Sequence, residues 1–455
     1  MRCPQFFLPL VLVLALLSGC QPSPTPSIPT PAGPTPIPTR KPLSVTIDPT
    51  QTRQTLREVG GGNYIHFFGD VLQGVDPVST MNLNTLNPQV LRVRMDLDLW
   101  EPQEGVQGAG RFKEVSFVKA TFAFLAEVKK RNPETIVIAS IWEVPDWMVT
   151  NPDAERDRLI PVERYPQVVD SIGNWLLRAR EVSGLEVNYV SFNEASIGVN
   201  ILLTSEEQAK LVRQGGPQLA QMGLKTLWLL GDTHNMASAS SYIPPIYAEE
   251  DIRPYLGPLS FHSWDSGVTD QLIRQIGKYA DENNLEVWCT EAGWDSAQWH
   301  RPEEFSTWKH AIRLANVYTR VLRDSRTTTL LYWDMMGNDY AINDGEKLFP
   351  ALVYIAELQK SFPAGAQIVA TPDDEIQTLS ILTLAAKLPA DGFSVQVLNQ
   401  VNEARNITLN GLPDGAYTLI RLTEADGRED LGTVNVSKQQ LDLQLPGFSI
   451  YFLTR

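Results

Sequence analysis

The segment VNYVSFNEASIGVN, Val187 to Asn200, runs apolar and then delivers an amide and a carboxylate, Asn193 and Glu194, before it dissolves into small residues. A second apolar run, LEVWCTEAGWD from Leu285 to Asp295, ends in the same manner with Glu291. One glutamate at a strand end can simply favour the positive N-terminus of a following helix. Two of them, 291 − 194 = 97 residues apart, are what cleavage of a glycosidic bond requires, one as general acid and one as nucleophile or base, provided the fold brings the two ends together.

Eight β-rich apolar runs supply such a fold: REVGGGNYIH, VLRVRMDL, TIVIASIW, LEVNYVSFNE, KTLWLLGD, PLSFHSW, LEVWCTEAG and TTTLLYWDMM. Segments of helical period separate them, among them SFVKATFAFLAEVKKR and TSEEQAKLVRQ, where Thr204 and Glu207 have capping-box spacing. The link between the fifth and sixth runs, SSYIPPIYAEEDIRPYLG, reads as a poor helix. Over residues 57–362 this alternation predicts a (β/α)₈ TIM barrel, whose functional residues sit at the C-terminal ends of the strands. Residues 363–455 change to short alternating runs such as FSVQVLNQ, ITLNGL and FSIYFLT, broken by PDG, ADG and PG turns, which predicts an antiparallel β-sandwich side domain. LSVTIDPTQ, within residues 43–56, is also strand-like and precedes the barrel. The sequon at Asn406 reads as a strand entry.

The first twenty residues, MRCPQFFLPLVLVLALLSGC, carry an early Arg and an apolar stretch too short to span a bilayer, as in a secretory signal. Leu17-Ser18-Gly19-Cys20 resembles a bacterial lipobox, so residues 1–19 are expected to be removed and Cys20 acylated. Residues 20–42, rich in Pro, Thr and Ser, read as an extended stalk. The expectation is an exported protein, lipid-anchored at the bacterial cell surface and touching the membrane only through that anchor, monomeric and without disulfides, since Cys289 alone remains. A net charge of −15 argues against nucleic acid as a partner. Histidines 66, 234, 262, 300 and 310 lack ligand spacing, so no metal is expected. Gly60-Gly61-Gly62 lacks the phosphate-cradling pattern, and no cofactor is expected.

In LRVRMDLDLW, alternation sets Arg92, Arg94 and Asp96 on one face and apolar residues on the other. The apolar face must meet the helices, so both arginines point inward, and parity does not separate them; either can pair with Asp96 or Asp98. Trp100, Trp142, Trp147, Trp264, Trp294 and Trp333 fall near strand ends, where a flat ring suits a sugar face. Cys289 shares the face of Glu291 and has no evident His partner, so it reads as barrel filling. The polar loop DMMGNDYAINDGEK reads as a substrate rim.

WEVPDWM, Trp142 to Met148, and QTLREVGGGNYIH resemble motifs of glycoside hydrolase clan A, most closely family 30, the glucosylceramidase and glucuronoxylanase type. That resemblance covers the chain from about Leu43 to its end. It implies that the early strand joins the side domain, and that bonds are cleaved with retention. Glu194 would be acid/base and Glu291 nucleophile, with Arg92 beside the nucleophile and Asn193, Trp142 and Trp333 at the sugar. Three positions depart from the pattern: Ala195 follows the Asn-Glu pair in place of Pro, His66 stands where relatives often carry a sugar-binding Asp, and His262-Ser263-Trp264 replaces a His followed by an aromatic that is commonly Tyr. Trp264 could give Glu291 an indole N–H but cannot accept. The expected function is a retaining glycoside hydrolase acting on β-linked, xylan-type or β-glucan-type carbohydrate, with Glu194 raised in pKa and Glu291 lowered. The alternatives are a glycan-binding surface lipoprotein that lost turnover, and a clan A exo-glycosidase such as a β-xylosidase or β-glucuronidase.

Overall fold

The computed structural model describes residues 43–65, 76–105, 111–337, 339–371 and 380–455. Cys20 and His66 lie outside the described residues, as do the signal and stalk segments.

Eight parallel strands close into a barrel: β1 (Glu58–Tyr64), β2 (Val90–Asp96), β3 (Ile136–Glu143), β4 (Tyr189–Phe192), β5 (Leu227–Thr233), β6 (Leu256–His262), β7 (Val287–Ala292) and β8 (Thr327–Tyr332). A helix follows each: α1 (Pro77–Leu86), α2 (Ser116–Arg131), α3 (Tyr165–Ser183), α4 (Ser205–Gln221), α5 (Met236–Tyr247), α6 (Asp270–Asn283), α7 (Trp308–Asp324) and α8 (Pro350–Ser361). The expected box at the start of α4 is present, with Thr204 Oγ1 accepting from the Glu207 amide and the Glu207 carboxylate accepting from the Thr204 amide. The link between β5 and β6 departs from the sequence reading, because it contains the twelve-residue helix α5. Pro244 and Pro245 stand inside that helix, yet Asn235 caps it and Ala239, Tyr242, Ile243 and Ile246 are buried from it. Burial of an apolar face outweighs the propensity cost.

Inside the barrel the side chains form layers. Val90, Ile138, Leu229, Trp288 and Leu331 pack as an apolar floor. Period-two alternation then raises the polar residues of the same inward faces toward the C-terminal mouth.

The side domain is a sandwich. A seven-stranded sheet has the order 427–436, 415–423, 449–454, 393–399, 381–387, 367–370 and 48–55, and a three-stranded sheet has the order 43–46, 405–410 and 440–445. Leu43–Thr46 pairs parallel with 407–410, and Asp48–Thr55 pairs antiparallel with Gln367–Ala370, so the early segment contributes a strand to each sheet. Val45, Ile47, Phe393, Leu409, Tyr417 and Leu453 lie in the core between the sheets. The large sheet also meets the barrel, where Gln396 Nε2 donates to Thr319 Oγ1 of α7 at 2.6 Å and Tyr354 Oη of α8 donates to Gln396 Oε1 at 3.2 Å. Among the described residues no helix is long and apolar enough to cross a membrane.

Candidate active site

The ends of β4 and β7 meet across the barrel mouth. Both glutamates are buried, and one oxygen of Glu194 lies within 4.8 Å of one oxygen of Glu291. Glu194 stands just past β4 with φ 46°, a left-handed conformation uncommon for a residue with a side chain. Backbone strain of this kind concentrates where the surrounding structure must aim a functional group. Ala195, where the family 30 pattern has proline, is buried in the turn that follows, and its carbonyl accepts from the Leu203 amide.

Arg92, fully buried on β2, holds the centre together. Its Nη1 donates to Glu291 Oε1 at 2.6 Å and Asn63 Oδ1 at 3.0 Å, and its Nη2 to Ser140 Oγ and Asn193 Oδ1, each at 2.7 Å, and to Asp232 Oδ2 at 3.0 Å. By engaging the carbonyl oxygen of Asn193, Arg92 fixes which way that amide faces. Arg94, two residues on, is partly exposed, pairs with Asp96 at 2.7 Å and lies 4.9 Å over the Trp142 ring. The two arginines that parity left equivalent therefore divide, one to Glu291 and one to an ion pair with Asp96.

β6 contributes His262. A register shift between Phe261 and His262 sets it level with Glu291. Its Nδ1 is 2.9 Å from Glu194 Oε1 and 3.2 Å from Glu291 Oε2, while Nε2 is 3.3 Å from Asp232 Oδ1. Burial alone would lower its pKa; the Glu291 charge and the hydrogen bonds to Asp232 and Glu194 overcome that and raise it to about 10. His262 is therefore an imidazolium at neutral pH and donates from both nitrogens.

Asp232, at the end of KTLWLLGD, was not singled out from the sequence, yet it is the anion under this arrangement. Besides Arg92 and His262 it accepts from Ser191 Oγ and Thr290 Oγ1, each at 2.6 Å. Against its burial, the Arg92 charge and the His262 hydrogen bond hold its carboxyl well below the usual carboxylate range. The rule that found Glu194 and Glu291, a carboxylate closing an apolar strand, also fits Asp232.

Trp264 donates its indole N–H to Glu291 Oε2 at 2.9 Å, the contact its position allowed. Gly293 makes the approach possible, because a Cβ there would fall 2.0 Å from the Trp264 ring. Trp142 and Trp333 stack at 5.7 Å and 13°, and Trp333 meets Trp264 edge-on at 6.4 Å. Tyr340 of the long polar loop packs against Trp333, and Trp299, 44% exposed, packs against Trp264 and Tyr340; neither was marked in the sequence. Cys289 is fully buried, and burial pushes its thiol up, which suits filling rather than attack. Trp147 lies apart from the stacked tryptophans, with its indole N–H on the Glu101 carbonyl.

Glu291 differs from the sequence reading. Burial raises its pKa, opposed by the His262 and Arg92 charges and aided by the nearby Glu194. Glu194, His262 and Glu291 have ligand atoms close enough together to hold a metal ion. Those atoms are engaged with one another and their neighbours: Arg92 and Trp264 each hold an oxygen of Glu291, and His262 Nδ1 lies 2.9 Å from Glu194 Oε1.

The family model of glycosyl hydrolase family 59 matches residues 112–347, more than half of the chain, and spans β3 to β8 with both glutamates and Asp232. The chain belongs to glycosyl hydrolase family 59. The sequence reading had placed it in family 30, whose solved members share the fold of this family 59 chain. The family 30 endoxylanase from Clostridium papyrosolvens superposes with a TM-score of 0.69 at 13% identity, covering 90% of this chain and 99% of its own. The catalytic domain of the family 30 xylanase C from Talaromyces cellulolyticus gives 0.70 at 15%, covering 90% and 99%. A family 39 enzyme from Xanthomonas axonopodis pv. citri gives 0.59 at 11%, covering 92% and 99%. No curated protein sequence matches the family 59 chain.

Proposed function

We propose that this family 59 protein is a retaining glycoside hydrolase that cleaves β-linked oligosaccharide or polysaccharide of the xylan or β-glucan type by double displacement. The observation that carries the reading is the approach of the two glutamates, with an oxygen of each within 4.8 Å. Retention calls for carboxyl groups about 5 to 5.5 Å apart, whereas inversion needs roughly 6.5 to 9.5 Å to admit water between sugar and base. Glu291 attacks the anomeric carbon as the bond to the leaving oxygen breaks and Glu194 gives that oxygen its proton. A water then attacks the same carbon, passes a proton to Glu194 and releases Glu291.

The other residues serve this cycle. Arg92 and Trp264 orient the two oxygens of Glu291, Asn193 presents its amide to the sugar beside the scissile bond, and Trp142 with Trp333 offers an aromatic wall. His262, charged between the glutamates, stabilises whichever of them is ionised. The xylan part of the assignment rests on the endoxylanase and xylanase among the structures of like fold. The signal-like first nineteen residues and Cys20 support export and a lipid anchor.

The test is the anomeric configuration of the first product from aryl β-glycosides, followed by NMR, together with a fluorosugar inactivator and peptide mapping. The β-anomer first and a label on Glu291 are expected. The α-anomer, or a label elsewhere, would refute the mechanism.

A further inference from the structure

A second cavity lies near the loop that follows Glu291. Beyond Gly293, under the Trp264 ring, the chain places Trp294 on the wall of a cavity of about 620 Å³ between the barrel and the side domain. Trp294, Trp308, Arg313, Asn316, Gln400 and Phe448 line it. An adjoining cavity of about 360 Å³ shares Trp294, Asn316 and Gln400 and runs on to Asp270 and Arg320. Together they form an elongated groove with Trp294 and Asn316 at its waist.

Three observations define what would fill it. Asn316 is only 8% exposed; its Nδ2 donates to Gln400 Oε1, but its Oδ1 has no hydrogen-bond partner. A buried acceptor without a partner is costly, and the group that relieves it must donate. Phe448 has φ 46°, a conformation a bulky residue seldom adopts, and its ring is 38% exposed. Its backbone carbonyl accepts from Trp308 Nε1 at 2.8 Å, a contact that glycine would make without strain, so the ring itself is what the strain retains. The charges of the lining balance: Lys309 at 3.1 Å and Arg313 at 2.5 Å share Glu304, Glu424 supplies a second carboxylate, and Arg320 takes Asp270 at 2.6 Å.

Flat aromatic rings, a buried acceptor awaiting a hydroxyl and paired charges fit an uncharged glycan chain. An apolar ligand would leave Asn316 Oδ1 unpaired, and an anion would face it with a second acceptor. We propose that this groove is a non-catalytic site for neutral oligosaccharide, holding a polymer alongside the barrel mouth. Its link to the substrate rests on the function proposed above, but its existence does not.

Affinity electrophoresis of the full chain through gels holding xylan, mixed-linkage β-glucan or galactan tests this, with wild type, Glu291→Gln, Trp294→Ala and Phe448→Gly run side by side. Retardation of wild type and Glu291→Gln is expected in at least one polysaccharide, and a dissociation constant weakened about fivefold or more in Trp294→Ala and Phe448→Gly. Phe448→Gly should melt no lower than wild type and turn over an aryl glycoside at the wild-type rate, which separates lost binding from lost fold. Equal retardation of all four proteins, or none of wild type in any gel, would overturn the proposal. So would an apolar dye that binds wild type and not Phe448→Gly while no polysaccharide retards either. Absence of aryl glycoside turnover in wild type would instead count against the hydrolase reading and leave the retardation result to decide the groove.

Discussion

Trp264 donates to Glu291 Oε2 at 2.9 Å through a group that can neither accept a proton nor ionise. Arg92 holds the other oxygen at 2.6 Å, so the carboxylate is pinned from two sides by donors that favour its charged form. Replacing Trp264 with Phe keeps an aromatic side chain but removes the indole N–H together with the second ring. A hydrogen bond to a charged group contributes about 1.5 to 3 kcal/mol, so kcat/KM should fall by roughly 10- to 100-fold with the melting temperature little changed. Full activity in Trp264→Phe would mean that the indole N–H does not support the nucleophile.

If Glu194 is the acid/base proposed above, its loss should show in the choice of substrate rather than uniformly. Glu194→Ala should lower turnover of a poor, sugar leaving group by about 10² to 10⁴ and that of an activated dinitrophenyl glycoside far less. Added azide should restore rate, because an anion that has no proton to lose attacks the glycosyl-enzyme without a base, displaces Glu291 and leaves as the β-glycosyl azide. The same loss for every leaving group would remove Glu194 from the acid role.

Asp232 should set the alkaline side of the pH profile. Its charge and hydrogen bond help raise His262 to about 10. In Asp232→Asn that support goes, His262 loses its proton at lower pH, and the alkaline limb of kcat/KM should move acidward. A limb that stays in place while activity merely drops would make Asp232 a packing residue.

Two buried histidines act on stability with opposite signs. His262, raised to about 10, keeps its proton in the fold and would lose it near 6.5 when unfolded, so its contribution is full below 6.5 and is lost as pH rises through 10. His310 hydrogen-bonds Gln298 at 3.0 Å and Tyr332 at 3.1 Å, and burial lowers it to about 3. It is neutral in the fold, so its contribution is full above 6.5 and is lost as pH falls toward 3. Each can change stability by up to about 1.4 kcal/mol per pH unit across its window. Melting curves should therefore flatten on the alkaline side in His262→Gln and on the acid side in His310→Gln. Unchanged slopes in both would refute the assignment.

The barrel was legible because inward and outward faces alternate along strands such as LRVRMDL and the intervening helices carry their own period. The convergence of Glu194 and Glu291 was legible because each closes an apolar run that reads as a barrel strand. Asp232 passed unmarked although it obeys the same rule, since a single aspartate after glycine also suits a turn. Ser140, Ser191 and Thr290 could not be marked, because small hydroxyl residues occur throughout barrel strands and their role exists only once eight strand ends converge. The choice between Arg92 and Arg94 needed the third dimension, as both share one parity. Helix α5 was misread because two prolines outweigh, in sequence, the buried face of Tyr242, Ile243 and Ile246. The pKa direction of Glu291 depends on its depth of burial, which no local pattern records.

Leu43–Thr46 finds its partner only at 407–410, and Asp48–Thr55 only at 367–370. During synthesis the opening strands must wait, unpaired, for more than three hundred residues to follow. Contacts of such long sequence separation form late and slowly. A chain interrupted before residue 367 leaves both opening strands unpaired beside an otherwise complete barrel, and one interrupted before residue 405 still leaves Leu43–Thr46 so; the strands that follow the barrel are what cover the edges its own beginning exposes.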